Sequence, residues 1–182
     1  MGEAAESVAV VEAHSGRVLV AENATKKRPV ASLTKVATAK VVLDWAKVTG
    51  TDMSQPAVVP ASAAALGGAN PMGLLPGDRI SLRNAMYSAL MGSDNISAQT
   101  LAHHVGSAIL RARGKGGDPV KTFVGEMNTM AKAIGMKQTK FANAHGMDSA
   151  RERGSSTAMD MARLCIYAMR DAGFAFYVKP VS

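Results

Sequence analysis

"RPVASLTKVATAK" (residues 28–40) is where a loop gives way to a helix, with Ser32 placed one helical turn ahead of Lys35. Two readings fit that placement. In the first, the Ser32 hydroxyl caps the helix by accepting a first-turn backbone N–H, and Lys35 runs its stem along apolar surface to solvent. In the second, the pair is chemical. Residues three apart share a helix face, so the amine stands beside the hydroxyl. First-turn N–H groups can stabilise an oxyanion, and a partly buried lysine has its pKa lowered and can act as base. With 14 serines and 11 lysines in the chain, this spacing arises about once by chance, so the segment alone leaves both readings open. The helix it opens is expected to run to about Lys47 and close at Gly50. Val36, Ala37, Ala39, Val41, Val42, Leu43, Trp45 and Ala46 make it apolar on nearly every side, which places it inside a domain.

Upstream, residues 6–23 form two Val-rich runs around His14-Ser15-Gly16-Arg17, a β-hairpin whose turn uses Gly16. Downstream, residues 51–77 are rich in Ala, Gly and Pro and read as loops and short turns. Ser81 can cap a helix through Met91. A break at Gly92-Ser93-Asp94 then precedes a helix with Ile96, Leu101, Ala102 and Val105 on one face. Residues 111–119, "RARGKGGDP", read as a surface loop without the preceding strand or spacing of a phosphate cradle. A helix is expected over residues 120–134, ended by Gly135. The last begins at the capping box Thr157-x-x-Asp160 and runs to about Asp171. No repeat or linker divides the chain, so residues 1–182 read as one domain, with the hairpin at 6–23 and a mainly helical lobe at 32–171.

At 47% hydrophobic residues the chain can bury a core, and its Ala, Val, Leu and Met content with few aromatics favours helices. The net charge of +7 suits an anionic partner, but the basic residues fall in small groups without interleaved aromatics, so nucleic acid is not expected as a partner. Cys165 is the sole cysteine; between Leu164 and Ile166 it reads as a buried, inert thiol. No apolar run is long enough to span a bilayer, and Met1-Gly2-Glu3 lacks the basic and apolar regions of a signal peptide.

Ser93-Asp94-Asn95 decides the weight of Ser32, because it stands at another loop-to-helix junction where a hydroxyl and a carboxamide can point into one cleft. Ser-x-x-Lys, then Ser-x-Asn, then Lys-Thr-Gly is the motif order of β-lactamases and penicillin-binding proteins. The likeness is wider than these motifs. "VVEAHSGRVLVAENATKKRPVASLTKVATA", "LLPGDRISLRNAMYSALMGSDNISAQTLAHHV", "FVGEMNTMAKAIGMKQTKFANAHGMD" and "STAMDMARL" together resemble the low-molecular-weight penicillin-binding D-Ala-D-Ala carboxypeptidases, from about Ser7 to Arg170.

The resemblance implies an α/β (α+β) fold of the β-lactamase/transpeptidase type, a helical lobe plus an N-terminal hairpin of an antiparallel sheet whose C-terminal strands are missing from this chain. It implies that Ser32 attacks the peptide carbonyl next to the terminal D-alanine and becomes an acyl-enzyme. Lys35 would take the hydroxyl proton, Ser93 would relay a proton to the leaving amine, and Asn95 would orient the substrate. The implied partners are peptidoglycan stem peptides ending in D-Ala-D-Ala, and β-lactams; no metal or organic cofactor is needed. The implied location is outside the cytoplasm, on the periplasmic or cell-wall side of a bacterial membrane.

The chain departs from the pattern in two places. Asp94 stands where most such carboxypeptidases have Gly and is the spelling of class A β-lactamases, which makes a lactam hydrolase the first alternative. Glu126, in "GEMN", superficially resembles the glutamate of those lactamases but is read as part of a packed helix. The second departure is that no Lys-Thr-Gly occurs: Lys47-Val-Thr-Gly50 ends a helix, Lys115-Gly-Gly117 is in a loop, and Lys121-Thr-Phe123 lacks the glycine. A two-stranded hairpin is marginal alone. The expectation is therefore a fragment or truncated relative whose sheet is completed by a C-terminal fragment or a second subunit. A further alternative is a non-catalytic peptidoglycan- or partner-binding module. Adjacent His103 and His104 diverge around a helix, His145 reads as a loop brace, and the twelve methionines read as packing.

Overall fold

The computed structural model describes residues 5–179. The expectations for Met1, Gly2 and Glu3, and the outer limits of the domain, lie outside the described residues.

Strands β1 (Val8–Val11) and β2 (Val18–Glu22) pair antiparallel, with the register slipping between Val10 and Val11. The hairpin turn is held by the Glu12 carboxylate, which accepts the His14 and Ser15 amides at 2.8 and 2.6 Å. Gly16 supplies the positive φ of 74° that the reversal requires. Its apolar side chains are poorly covered: Val10, Val18, Leu19 and Val20 are 44–52% exposed.

A 3₁₀ turn (Ala31–Leu33) leads into α1 (Thr34–Thr49), which ends where Gly50 takes a left-handed conformation and returns its N–H to the Ala46 carbonyl. As its composition predicts, α1 is the central rod of the lobe. It touches α2 (Leu82–Met91), α3 (Asn95–Ala112), α4 (Pro119–Ala133), α5 (Ala158–Met169) and α6 (Ala172–Val178). Buried Ala37, Val42, Leu101, Phe123, Met127 and Leu164 belong to the core around it.

Residues 51–77 correct the loop reading in part, because β3 (Pro56–Val58) pairs antiparallel with β4 (Arg79–Ser81) in a small second sheet. Three-residue strands so far apart in sequence leave no alternation and no hairpin signal to read. The helix caps follow their side chains closely. Ser81 accepts the Asn84 amide, Asp94 that of Ser97, and Thr157 that of Asp160. Asp118 at the end of the Gly-rich loop caps α4, with Pro119 at the helix start. Asp160 does not close a reciprocal box; its carboxylate turns to the Gln138 amide and the Thr139 hydroxyl. The chain does not end its helices at Asp171 as expected, since Asp171 caps α6.

Cys165 is exposed, contrary to the buried thiol expected from its neighbours. Leu164 is fully buried, and one step along a helix turns the next side chain about 100° away, so sequence neighbours do not share a face. Among the described residues, no helix is long and apolar enough to cross a membrane.

Candidate active site

The 3₁₀ turn answers the question posed by Ser32. Leu33 occupies the cap position of α1 and no side chain caps that end, so the Ser32 hydroxyl is not a cap. It meets two other groups instead. The Ser93 hydroxyl donates to it at 2.9 Å, and the Lys35 Nζ lies 3.4 Å away. The same Nζ is 3.4 Å from the Ser93 Oγ, which closes a triangle of two hydroxyls and one amine. Lys35 does not snorkel: it is 2% exposed, and its Nζ donates to the His145 carbonyl at 2.7 Å. Burial lowers its pKa to about 8, against the opposing pull of the Asp94 carboxylate. At pH 7 about one amine in ten is then unprotonated and able to accept a proton.

Ser93 takes a left-handed φ of 53°, a conformation that costs a non-glycine residue on the order of 1 kcal/mol. The residue after it holds the strain. Asp94 is fully buried, and its carboxylate accepts from the Ser88 hydroxyl at 2.7 Å, the Ser97 hydroxyl at 2.9 Å and the Ser97 amide at 3.1 Å. Asn95 begins α3, and its backbone N–H reaches the Ala69 carbonyl at 2.9 Å.

Asn95 is placed differently from the other three. Its Nδ2 donates to the Gly67 carbonyl at 3.0 Å and lies 2.8 Å from the Met147 sulfur. Among the described residues it makes no hydrogen bond to Ser32, Lys35 or Ser93 through its side chain. Ser32, Lys35 and Ser93 are thus one bonded group, with Asn95 tying two bordering segments together beside it.

Residues 143–147 form a turn that sequence reading undervalued. The Asn143 Oδ1 accepts the His145 and Gly146 amides at 3.2 and 2.6 Å, and its Nδ2 donates to the Met147 carbonyl at 2.8 Å. The His145 Nδ1 accepts the Met147 amide at 3.1 Å, so this histidine does brace the turn. Burial and the Lys35 charge push its pKa down to about 4, which keeps the ring neutral. Gly146, at φ 88°, lies so close that a Cβ there would come within 1.8 Å of the Ala31 carbonyl oxygen. The turn therefore packs directly on the 3₁₀ turn that carries Ser32. A backbone carbonyl has no side-chain signature, so only the turn-forming Asn143 and Gly146 could have signalled it.

Other candidates lie elsewhere. Glu126 pairs with Arg113 at 2.6 Å between α4 and the end of α3. The His104 and Trp45 rings meet edge-to-face with their centroids 6.0 Å apart. His103 joins Ser62, Gln99, Asn143 and His145 around a cavity of about 760 Å³ that none of the four candidate site residues lines.

The family model described as D-alanyl-D-alanine carboxypeptidase matches residues 2–179. The D-alanyl-D-alanine carboxypeptidase DacC of Escherichia coli is 33% identical over 155 residues, 82% of this chain and 36% of the relative. A mutant of the Streptomyces K15 DD-transpeptidase superposes with a TM-score of 0.83 at 27% identity, covering 97% of this chain and 65% of that one. Penicillin-binding protein D2 of Listeria monocytogenes, in its ampicillin-bound form, gives a TM-score of 0.76 at 26% identity, covering 93% of this chain and 63% of that one. The chain therefore spans well under two thirds of the length of such curated relatives, 36% in the case of DacC.

Proposed function

The chain belongs to the D-alanyl-D-alanine carboxypeptidase family, and on that premise we propose that Ser32 is the nucleophile of a serine peptidase acting on peptidoglycan stem peptides that end in D-Ala-D-Ala. The observation that carries the reading is the buried Lys35 amine, 3.4 Å from both the Ser32 and Ser93 hydroxyls. The unprotonated amine takes the Ser32 proton as Oγ attacks the carbonyl of the penultimate residue. First-turn N–H groups stabilise the oxyanion. The C–N bond breaks as Ser93, bonded to both partners, passes a proton to the nitrogen of the departing D-alanine. Water then hydrolyses the Ser32 ester. Asn95 orients the peptide from beside the triangle, and a β-lactam acylates Ser32 by the same steps.

A fluorescent penicillin incubated with the chain should add its mass to the peptide carrying Ser32, and Ser32→Ala should remove that label. Release of D-alanine from a D-Ala-D-Ala peptide is the matching activity. Label on another residue would end the reading, and peptide binding without acylation or release would favour the non-catalytic module. The lactamase alternative is disfavoured, because Glu126 lies with Arg113 and Trp45 around a separate cavity and, among the described residues, makes no hydrogen bond to Ser32, Lys35 or Ser93.

The same reading places the working protein on the periplasmic or cell-wall side of the membrane. Among the described residues β1 and β2 form a two-stranded sheet with both outer edges unpaired, which supports further strands pairing there, from a C-terminal segment or a second subunit.

A further inference from the structure

Among the described residues, Met147 is the one methionine whose sulfur lies within hydrogen-bond reach of a candidate site residue, and the contact is firmly built. Its backbone is bonded at both ends, the N–H to the His145 ring and the C=O to the Asn143 amide, so the turn cannot carry the sulfur away. The sulfur lies 2.8 Å from the Asn95 Nδ2. Gly68 closes the other side: a Cβ there would fall 2.4 Å from that nitrogen and 2.8 Å from the sulfur. The contact is therefore closed on the Gly68 side. Met147 is nevertheless 41% exposed, so small solutes in water reach its side chain.

We propose that Met147 is an oxidation site that disengages Asn95, making the candidate active site sensitive to peroxides; this rests on reading Ser32 and Asn95 as site residues. The sulfur lone pair attacks one oxygen of hydrogen peroxide, an S–O bond forms as the O–O bond breaks, and the leaving hydroxide takes the proton of the transferred oxygen, through solvent, to depart as water. Sulfur is oxidised by two electrons and the peroxide is reduced by two. The product sulfoxide is larger by one oxygen, polar and pyramidal at sulfur. At 2.8 Å the Sδ–Nδ2 contact leaves no room for an added oxygen between the two atoms, so the Met147 side chain has to reorient and the Asn95 amide either follows the new sulfoxide acceptor away from the Gly67 carbonyl or loses the sulfur contact. Both outcomes change the placement of Asn95, and a methionine sulfoxide reductase reverses them.

The test uses the full chain before and after hydrogen peroxide, with conversion of Met147 followed by peptide mass spectrometry. Nuclear magnetic resonance of the Asn95 side-chain amide, assigned with Asn95→Asp, is the first readout, and the rate of penicillin labelling at Ser32 is the second. The amide resonance should move as Met147 converts, and the labelling rate should fall roughly tenfold, as expected for loss of one hydrogen bond. Reductase treatment should restore both. In Met147→Leu the treated and untreated samples should agree, whereas Met91→Leu, which removes a 64% exposed methionine on the end of α2, should stay as sensitive as the parent. An unmoved resonance with Met147 fully converted overturns the proposal, as does an unchanged labelling rate in that sample. If untreated chain never labels, the Ser32 reading fails in that arm, and the resonance still decides the Asn95 contact.

Discussion

At the scale of single residues, the site turns on the charge of Lys35. With its pKa lowered to about 8 by burial, the amine is mostly protonated at neutral pH and cannot accept the Ser32 proton in that form. Acylation of Ser32 by a penicillin should therefore rise about tenfold per pH unit up to about 8 and level off above it, as followed by stopped-flow labelling. Lys35→Arg, whose guanidinium stays protonated, should lower the plateau by about a thousandfold. Burial sets the midpoint of that rise, and Asp94 opposes it. Its carboxylate favours the charged amine, so Asp94→Asn should move the rise to lower pH, while the amide faces two hydroxyls and one N–H and costs about 1–3 kcal/mol of stability. A midpoint that stays put in the folded variant would show that Asp94 serves only to pin Ser93.

Among elements, the telling contact is the turn of residues 143–147 against the 3₁₀ turn at Ala31–Leu33. Gly146→Ala would set a Cβ within 1.8 Å of the Ala31 oxygen, and its φ of 88° is unfavourable to alanine. The turn must lift, taking away the carbonyl that holds Lys35. Penicillin labelling should fall at least about a hundredfold, with a drop in the thermal midpoint of several degrees. Elements of this kind divide into those the sequence announces and those it does not. The hairpin, α1 with Gly50, and the caps at Ser81 and Thr157 were legible because each signal is local: alternation, apolar coverage, or a hydroxyl ahead of a helix. Lys35 and Ser93 were legible as neighbours of Ser32 only through the family resemblance, since the Ser-x-x-Lys spacing alone left two readings open. The bond from Lys35 to a carbonyl 110 residues away, the β3–β4 pair and the exposure of Cys165 depend on tertiary placement, which local pattern does not encode. The separation of Asn95 from the triangle is of the same origin: the motif gives its distance along the chain from Ser93, not the direction of its side chain.

Over the whole molecule, one charge cluster ties the central helix to the end of the described chain. Lys40, buried on α1, donates to Asp171 at 2.9 Å and to Asp44, and stands 4.6 Å over the Tyr167 ring. Lys47 meets the same Asp171 carboxylate at 2.7 Å. Burial alone would raise Asp171, but Lys47, Lys40 and the Gly173 amide outweigh it and hold the carboxyl well below the usual range. A depressed acid stabilises the fold above its unfolded pKa, near 4, and that contribution is lost as pH falls through the lower folded value. Asp171→Ala should cost about 3 kcal/mol at pH 7 by leaving Lys40 with a single carboxylate partner. The difference from the parent should shrink as chemical denaturation is repeated toward pH 2. A gap that stays constant with pH would assign Asp171 to capping α6 alone.

Lys35 and Lys40 sit on one rod, the first answering to Ser32 and the second to Asp171, and every other helix of the lobe leans on that rod. Heat that loosens it parts the Ser32 hydroxyl from the Lys35 amine in the same event that dissolves the core. Inactivation and melting should then trace superimposable curves, leaving no temperature window in which a half-molten form goes on reacting.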